Sequence, residues 1–473
     1  MTRSARRGLA RNPSATAEVL RRLLRTHPDE TCEGLRDRAD LPRPVQEAMA
    51  AHPAPAVRRA LARHPLVDPD LRARLLDDPD WRVRIRAFGH RDQRPLPDAV
   101  VTRVFTELPR WAPETRATAD ELLIEFLEAN GYSWQPLLVA AAHPDPWVRR
   151  YAAGSAGRRD ELRTLLSDPD PSVRETAAHA VAESARVMQP ADLPAQHCHA
   201  FWMVLHRPLS PALVSQLLAG DDVEALSAIA ASSSLSPQDV ERLVRHPAPE
   251  VRQVTAVRRD LTGAQLRLLA ADADISVRTA ASVHPDLTEE ERARVEIDPG
   301  PPGGGGSAPE HADALRWAGS VNPLLRRRAA CRPDLPAELV AALAEDPDPG
   351  VRLNLARHHP AAPPALLLRC FLEYHGRDTL PELPGFPRAG LARFVGHPDP
   401  AVRALVALDP DADPGTVERL TTDPDAGVRR AMASCPRLPV ARIEALLTDP
   451  DLAEDAAANP SLPPARMLEL SEA

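Results

Sequence analysis

The sequence contains no lysine and very few aromatic residues. All 58 basic residues are arginine, and Phe, Trp and Tyr together make up 3% of the 473 residues. With so few aromatic residues the core must be built from Leu, Val and Ala, which suits closely packed helices better than a β-sandwich. The formal net charge of −9 argues against a protein that coats nucleic acid along its whole length.

Cysteine is also scarce, and long apolar runs are missing. The five cysteines are odd in number, widely spaced and outside any C-x-x-C pair, which favours reduced thiols over a disulfide framework or a zinc site. No segment is apolar enough to span a membrane, and the first 25 residues lack the apolar core of a signal peptide. We therefore expect a cytoplasmic protein.

Catalytic motifs are missing as well. The sequence has no phosphate-binding Gly loop, no G-x-S-x-G and no H-E-x-x-H. His197, Cys198, His199 and His206 could supply some metal ligands, but no second cluster completes a set of four. The sequence favours a protein without catalytic residues, metal or cofactor, with a lyase or metal enzyme as the third alternative.

The sequence does contain a repeated unit. An Asp-Pro or His-Pro, a short spacer and a Val-Arg pair recur, as in "DPDPSVRETAAHAV" from Asp168, with spacings near 25 or 26 residues or multiples of them. In this copy Asp170 suits an N-cap and Pro171 the first helical position. Val173 begins an apolar stripe with helical spacing. The His-Pro histidines alternate with Asp at equivalent places, which indicates turn or cap residues.

A fixed period of this length predicts a solenoid of stacked helical pairs. "ARHPLVDPDLRARLLDDPDWRVRIRAFGHR" (Ala62–Arg91) and Asp423–Pro464 resemble leucine-rich repeat variant units, and the D-P-D-x-x-V-R-x-x-A-A half is equally similar to HEAT-like repeats, including those of phycobilin lyases. The resemblance implies an all-α, right-handed superhelical solenoid of short helical pairs with a period of about 24–26 residues. It says little about function.

The arginine of each Val-Arg pair lies beside the buried stripe, about 100° round the helix from the valine. We expect its planar guanidinium to reach the Asp or the carbonyls at a neighbouring helix start, forming a structural ladder. A groove of cations for phosphate or acidic peptides is the alternative. The ladder residues are Arg58, Arg84, Arg149, Arg174, Arg252, Arg278, Arg352, Arg403 and Arg429.

Breaks in the period predict the domain organisation. A linker, "DPGPPGGGGSAPEH", divides the chain near residue 300, and "FLEANG" and "FLEYHG" suggest that two related halves arose by duplication; coincidence of two long helices is the alternative. The predicted segments are basic N-terminal repeats (1–93), an aromatic-rich insert of longer helices (94–135), middle repeats (136–297), the linker (298–311), repeats (312–370), a second insert (371–391) and C-terminal repeats (392–473).

Aromatic and basic residues mark the candidate binding surface. Nine of the sixteen aromatic residues lie between residues 81 and 151, and residues 1–93 carry 19 Arg against 13 Asp and Glu. A local core for the inserted helix is one interpretation, and a set of interface anchors is the other. The candidate binding residues are Trp81, Phe105, Trp111, Phe126, Tyr132, Trp134, Trp147, Tyr151, Arg21, Arg22 and Arg25.

These observations favour a non-enzymatic scaffold that binds another protein, with an acidic surface, through the concave face of the solenoid. The alternative is a HEAT-like nucleic-acid-binding or DNA-repair protein. The aromatic cluster beside a basic block is similar to the sites of HEAT-like alkylpurine DNA glycosylases, in which Trp, Asp and cationic side chains surround a damaged nucleotide. Their motif does not match this sequence residue by residue, so nucleic acid is the less favoured partner.

Overall fold

The computed structural model describes residues 2–89, 93–94, 96–97, 99–104, 135–232, 235–302, 309–374 and 379–472. Within these ranges the chain forms short α-helices and 3-10 helices and no strand, which confirms the predicted all-α repeat fold. The right-handed sense of the superhelix stays a prediction. Among the described helices, none combines the length and the hydropathy that a membrane crossing requires.

The chain divides into two compact units. The first consists of Met1–Ser184 together with Arg388–Ala473, and the second of Ala185–Pro387. This division does not follow the predicted linker, which lies inside the second unit. The origin of the chain by duplication of two halves stays a prediction, because the contacts within a fold do not test sequence ancestry.

The first unit contains repeats from both ends of the chain. Its described part includes a helical segment at 99–104 and three 3-10 helices, at Asp160–Ser167, Leu391–Phe394 and Leu405–Leu408. Its α-helices are α1 (Arg3–Arg11), α2 (Ala17–Thr26), α3 (Pro28–Leu35), α4 (Arg43–Ala50), α5 (Pro55–Arg63), α6 (Pro69–Leu75), α7 (Trp81–Ala87), α8 (Gln135–Ala141), α9 (Pro146–Ala153), α10 (Pro171–Ala185, which ends at the boundary), α24 (Pro400–Ala404), α25 (Pro414–Leu420), α26 (Ala426–Ala433), α27 (Val440–Leu446), α28 (Ala453–Ala457) and α29 (Pro464–Glu472).

The second unit carries the remaining α-helices, with 3-10 helices at Pro190–Asp192 and Leu380–Glu382. They are α11 (His199–Leu205), α12 (Pro211–Ala219), α13 (Val223–Ala230), α14 (Pro237–Val244), α15 (Pro249–Thr255), α16 (Gly263–Ala270), α17 (Ile275–Ser282), α18 (Glu289–Arg292), α19 (His311–Trp317), α20 (Pro323–Ala329), α21 (Ala337–Ala344), α22 (Pro349–His358) and α23 (Pro364–Glu373).

The described start of the predicted linker is held by an arginine. Arg327 donates to the carbonyls of Pro299, at 2.6 Å, and of Pro301, at 3.1 Å, while it pairs with the Asp348 carboxylate. The flexibility predicted for the Gly-rich part falls on residues 303–308, which lie outside the described residues.

Most Val-Arg helices begin with the same local chemistry, although α5 and α15 follow Ala54 and Ala248 and have no side-chain cap. An Asp accepts a backbone N–H of the first turn, as Asp145 does from Trp147 at 3.0 Å, and a Pro occupies the first helical position of α9. The valine of the Val-Arg pair is then buried: Val57, Val83 and Val173 are at most 1% exposed. Burial of these valines against neighbouring repeats supplies the main stabilising term.

His and Asp are interchangeable at the turn before the Val-Arg helix. The Asp78 carboxylate accepts the N–H of Asp80 at 2.9 Å, and His52 Nδ1 accepts the N–H of Ala54 at 3.1 Å. Both side chains present an acceptor to the backbone two residues ahead. The histidine is therefore a turn residue in this position, and no catalytic role is needed to explain it.

The ladder arginines join consecutive repeats. Arg149 donates to both carboxylate oxygens of Asp168, at 2.7 and 2.9 Å, and to the carbonyls of His143 and Pro144, both at 2.9 Å. One guanidinium thus fixes its own turn and the turn of the next repeat. The same pattern recurs at Arg58 with Asp78, Arg252 with Asp272, Arg326 with Asp346 and Arg403 with Asp423.

Other ladder arginines make part of this pattern. Arg84, Arg174 and Arg429 donate to the two carbonyls of their own turn. Arg278 and Arg352 do the same and pair with Glu296 and Glu373. Arg326 was not among the predicted residues, although its repeat, "NPLLRRRAA", is in register.

The ladder affects the ionisation of its acids. Hydrogen bonding from Arg149 holds the pKa of the Asp168 carboxyl below its ordinary value, and Arg252 and Arg403 do the same to Asp272 and Asp423. A lowered pKa in the folded state stabilises the fold above the ordinary pKa of about 3.9, and this contribution is lost as pH falls through the folded-state value. The ladder is thus weakened only in strong acid.

A second set of side chains bonds each repeat to the end of the preceding one. Asn459 donates to the carbonyls of Ala433, at 2.8 Å, and Cys435, at 2.7 Å. Gln93 donates to the carbonyls of Ala62 and His64, both at 2.9 Å. These bonds satisfy backbone oxygens left open at helix C-termini. We call them carbonyl bridges.

Replacing Arg149 with alanine should lower the free energy of unfolding by about 3 kcal/mol, because the buried Asp168 carboxylate loses its guanidinium. Arg174→Ala is the matched control, since it removes only bonds to the carbonyls of Asp168 and Pro169, and should cost about 1 kcal/mol. Thermal and denaturant unfolding measure both. Equal losses would show that the carboxylate pair contributes nothing beyond the carbonyl bonds.

His64→Asn should reduce the sensitivity of the fold to mild acid. Burial lowers the pKa of His64 in the folded state, so the unfolded chain takes up its proton first and stability falls as pH drops below about 6.5. Asn12 and Asn459 make carbonyl bridges at equivalent places, so asparagine suits the position. The measurement is melting temperature between about pH 7 and 5; the reciprocal Asn459→His should steepen the same dependence, and an unchanged slope in both would refute the assignment.

Candidate functional site

Most of the predicted aromatic surface falls outside the described residues. Phe105, Trp111, Phe126, Tyr132 and Trp134 all lie within 105–134, a range that the structure does not describe. Their role as binding residues stays a prediction. The described candidates are three aromatic residues and the three arginines of α2.

Trp147 and Tyr151 pack into the first unit. Their ring centroids are 4.6 Å apart with the planes inclined by 55°, and both side chains are partly buried against the hydrophobic core. Both rings therefore contribute to the packing of this unit, and their role as binding residues stays a prediction.

The three arginines of α2 have different surroundings. Arg22 pairs with Glu18 at 2.8 Å and with Glu472, so its charge is countered. Arg21 and Arg25 are exposed and line a depression of about 610 Å³ with Pro53. These two remain available to a ligand.

Trp81 lies at the edge of a more strongly basic surface. A cavity of about 670 Å³ opens along α3, α5 and α7, and a depression of about 360 Å³ lies beside Trp81. We call this surface the arginine groove, and its members are Arg36, Arg59, Arg63, Trp81, Arg82 and Arg86.

Helical spacing explains why these arginines share one surface. Arg59 and Arg63 are four residues apart on α5, and Arg82 and Arg86 are four residues apart on α7, so each pair lies on one face of its helix. The opposite face of α5 carries the buried Val57 and Leu61, and on α7 the buried Val83 lies to the side of Arg82 and Arg86. Stacking of α5 on α7 then brings the two pairs together.

The groove concentrates positive charge on an accessible surface. Arg63, Arg82 and Arg86 are exposed, and among the described residues no carboxylate forms an ion pair with the five groove arginines. Glu33 borders the cavity, but Arg3, at 3.2 Å, and Arg7, at 3.6 Å, already engage it. The groove therefore retains charge that an anionic ligand can use.

Trp81 gives the groove an apolar anchor. Its side chain is 54% exposed, which is unusual for so large an apolar group. The Arg82 guanidinium carbon lies 5.1 Å from the ring centroid, within range of a cation–π interaction. This contact holds the ring beside the cations without burying it.

Two buried cysteines, one beside the groove and one in the second unit, are poor nucleophiles. Cys32 borders the groove, and burial raises its pKa to about 12; burial likewise raises the pKa of Cys370 in the second unit to about 11. Both thiols are protonated near neutral pH, whereas the thiolate is the reactive form. Neither site has the chemistry of a catalytic cysteine.

One histidine of the cluster before α11 is engaged by carboxylates. His197 Nε2 lies 2.6 Å from an Asp222 oxygen and Nδ1 lies 3.3 Å from Glu224. Hydrogen bonding to Asp222 raises the pKa of His197, and its ring stacks near Phe201, with centroids 4.5 Å apart. In the described part of the chain, no group of three or more His, Cys, Asp or Glu side chains has the arrangement of a metal site.

The groove arginines were missed by the sequence reasoning, which followed the repeated Val-Arg position. A usable signal was present, since Arg59 with Arg63 and Arg82 with Arg86 are i,i+4 pairs without an acid at the intervening helical positions. Their contact across repeats, however, depends on the stacking of α5 and α7 and could be placed only with the fold known.

Comparison with known proteins supports the repeat architecture. The HEAT repeat family matches residues 160–188, which span the 3-10 helix Asp160–Ser167 and α10. No curated protein matches the chain. The match covers one repeat, so the chain is similar to HEAT repeat proteins there, and the resemblance to leucine-rich repeat variant units stays a prediction.

Proposed function

We propose that this protein is a non-enzymatic repeat scaffold that binds an acidic segment of a partner protein in the arginine groove. The observation that carries the proposal is the set of five arginines without a carboxylate partner among the described residues, gathered around the exposed Trp81. The HEAT repeat match supports it, because stacked helical repeats present extended binding surfaces.

The chemistry of the groove suits carboxylates on an extended chain. A guanidinium pairs with a carboxylate through two parallel hydrogen bonds, and its charge is retained at any physiological pH. The i,i+4 pairs on α5 and α7 offer two rows of such donors. Trp81 adds an anchor for an apolar side chain next to the acids, and Trp and Arg are the residue types most often decisive in interfaces.

An acidic protein segment is favoured over nucleic acid. The whole chain carries a net charge of −9, which repels a long polyanion, whereas a short acidic segment meets only the local field of the groove. The sequence predicted binding through the concave face of the solenoid. We propose that the Val-Arg helices, which carry most of the arginine groove, form this face. A location in the cytoplasm stays part of the proposal.

Arg63→Glu with Arg86→Glu should weaken binding of a labelled glutamate-rich peptide by at least about tenfold, because two attractive charges become repulsive. Trp81→Ala should weaken it about threefold to tenfold. Fluorescence anisotropy measures both, and melting temperature should change little since these side chains are exposed. Arg259→Glu with Arg294→Glu, two exposed arginines of the second unit, is the control with the same change in net charge as the double variant.

Affinity capture from the native host with the parent chain and with the double variant then identifies the partner. A protein with an acidic segment should be captured by the parent and lost from the variant. Duplex DNA serves as the competing probe. If DNA binds more tightly than the peptide, loses several-fold affinity between about 50 and 200 mM salt and depends on Arg63 and Arg86, the partner is nucleic acid and the protein-binding proposal is wrong.

A further inference from the structure

The two ends of the chain meet inside the first unit. Helix α28, from the C-terminal repeat, packs against α1, and α29 packs against α2. These are the same helix pairings that join the first repeat to the second, where α1 packs against α3 and α2 against α4. The C-terminal repeat therefore occupies the place of a repeat that precedes the first one.

The bonds at this contact repeat those of an internal junction. Asn12 donates to the carbonyls of Ala457, at 2.9 Å, and Asn459, at 2.7 Å. Asn12 thus makes the same carbonyl bridge as Asn459, which donates to the carbonyls of Ala433, at 2.8 Å, and Cys435, at 2.7 Å, in the preceding repeat. Ser14 donates to the Pro460 carbonyl at 2.9 Å, and Ser461 donates to Pro436 at 2.7 Å in the same register.

Close helix packing is also repeated. A Cβ atom on Gly8 would lie within 3.0 Å of the Glu454 backbone carbonyl, and one on Gly34 would lie within 3.0 Å of the Arg7 carbonyl. Real Cβ atoms essentially never approach so closely. Glycine therefore permits the same backbone approach at the contact of the ends and at the first internal junction.

Opposite charges meet across the contact. Arg11 pairs with Asp455 at 2.9 Å and lies 3.9 Å from Glu454, which also pairs with Arg7. Burial raises the pKa of Asp455, and the charge of Arg11 opposes that rise. The basic side lies on the N-terminal repeat and the acidic side on the C-terminal repeat, so the two faces are complementary.

Apolar side chains of both terminal repeats are buried. Leu9, Leu20 and Leu23 of the first repeat have no exposed surface, and neither do Ala456 and Met467 of the last. Open arrays need terminal repeats with a polar outer face to stay soluble. Here each terminal repeat packs its helices against the other terminal repeat instead.

We infer that the outer faces of the two terminal repeats are each other's binding partner within one chain. Each of these two repeats covers the other within the first unit. The occupant of each face is the other end of the same chain, because the carbonyl bridges, glycine approach and ion pairs all form between residues of one chain.

Charge reversal tests the contact. Arg7→Glu with Arg11→Glu, or Glu454→Arg with Asp455→Arg, should each lower the melting temperature by about 5 °C or more, and the four changes together should recover at least half of the loss. Arg466→Glu, whose ion pair is with the exposed Glu469, is the control and should change little. Losses that simply add in the fourfold variant would overturn the contact.

Mixing the two double variants distinguishes a contact within one chain from a contact between two chains. If the contact is within one chain, light scattering gives a monomer for the parent at all concentrations, and mixing the two double variants restores nothing. If the occupant is a second copy, the mixture forms heterodimers with a raised melting temperature. That result would overturn the inference.

A circular permutant gives an independent test that needs no destabilising substitution. Joining Ala473 to Met1 places three residues between α29 and α1, comparable to the single residue between α2 and α3 and the four between α4 and α5. New ends are opened within 303–306, in the Gly-rich segment. The permutant should fold as a monomer with at least the parent's melting temperature, whereas an aggregated or unfolded permutant would contradict adjacent ends.

The permutant also distinguishes a substitution that weakens the contact of the ends from one that destabilises the fold elsewhere. Gly8→Ala, which obstructs the contact of the ends, should destabilise the permutant less than the parent, because the covalent joint keeps the two repeats together. Gly34→Ala, which obstructs the first internal junction, should cost the same in both. Equal effects of Gly8→Ala in parent and permutant would show that the ends do not hold each other.

Discussion

Every other feature of this structure depends on a single bonding arrangement, the arginine that joins two turns of consecutive repeats. In its full form the guanidinium donates to two carbonyls of its own turn and to both oxygens of the next repeat's Asp, as Arg149 does with Asp168. Four bonds in fixed directions require a planar group with several N–H donors, which an ammonium group cannot replace. The absence of lysine is therefore compatible with the fold, although the ladder itself requires arginine only at a few positions.

The fold was largely accessible from the sequence because its signals are local. The spacing of the Val-Arg pairs predicted buried valines, and Val57, Val83 and Val173 are buried. The caps were visible too, since an Asp before a Pro marks a helix start. Arg326 was not predicted as a ladder residue because its repeat has leucine in place of the valine by which the Val-Arg pairs were identified. Its bonds to Asp346 nevertheless match those of the other ladder arginines.

The candidate site was less accessible because it is made by stacking. Arg63 and Arg86 are 23 residues apart in sequence, and nothing in either helix alone indicates that both line one cavity. The excess of arginine in residues 1–93 was visible in the sequence. The sequence did not show which of these arginines pair with acids and which remain unpaired. Arg7, Arg11 and Arg22 pair with acids of the last repeat, whereas the groove arginines of α5 and α7 keep their charge for a ligand. The contact of the ends was equally hidden, because Asn12 and Asn459 look equivalent only once the repeats are stacked.

The separation of 447 residues between Asn12 and Asn459 also has a consequence for synthesis. Ribosomes add roughly 5–20 residues each second, so the first repeat emerges from about 20 to 90 seconds before the repeat that covers it is made. During that interval the sides of α1 and α2 that pack against α28 and α29 are without their neighbours. The repeat at 453–472 thus shields a repeat that is made much earlier, and a ribosome that stops before residue 453 releases a product in which α1 and α2 stay uncovered on that side.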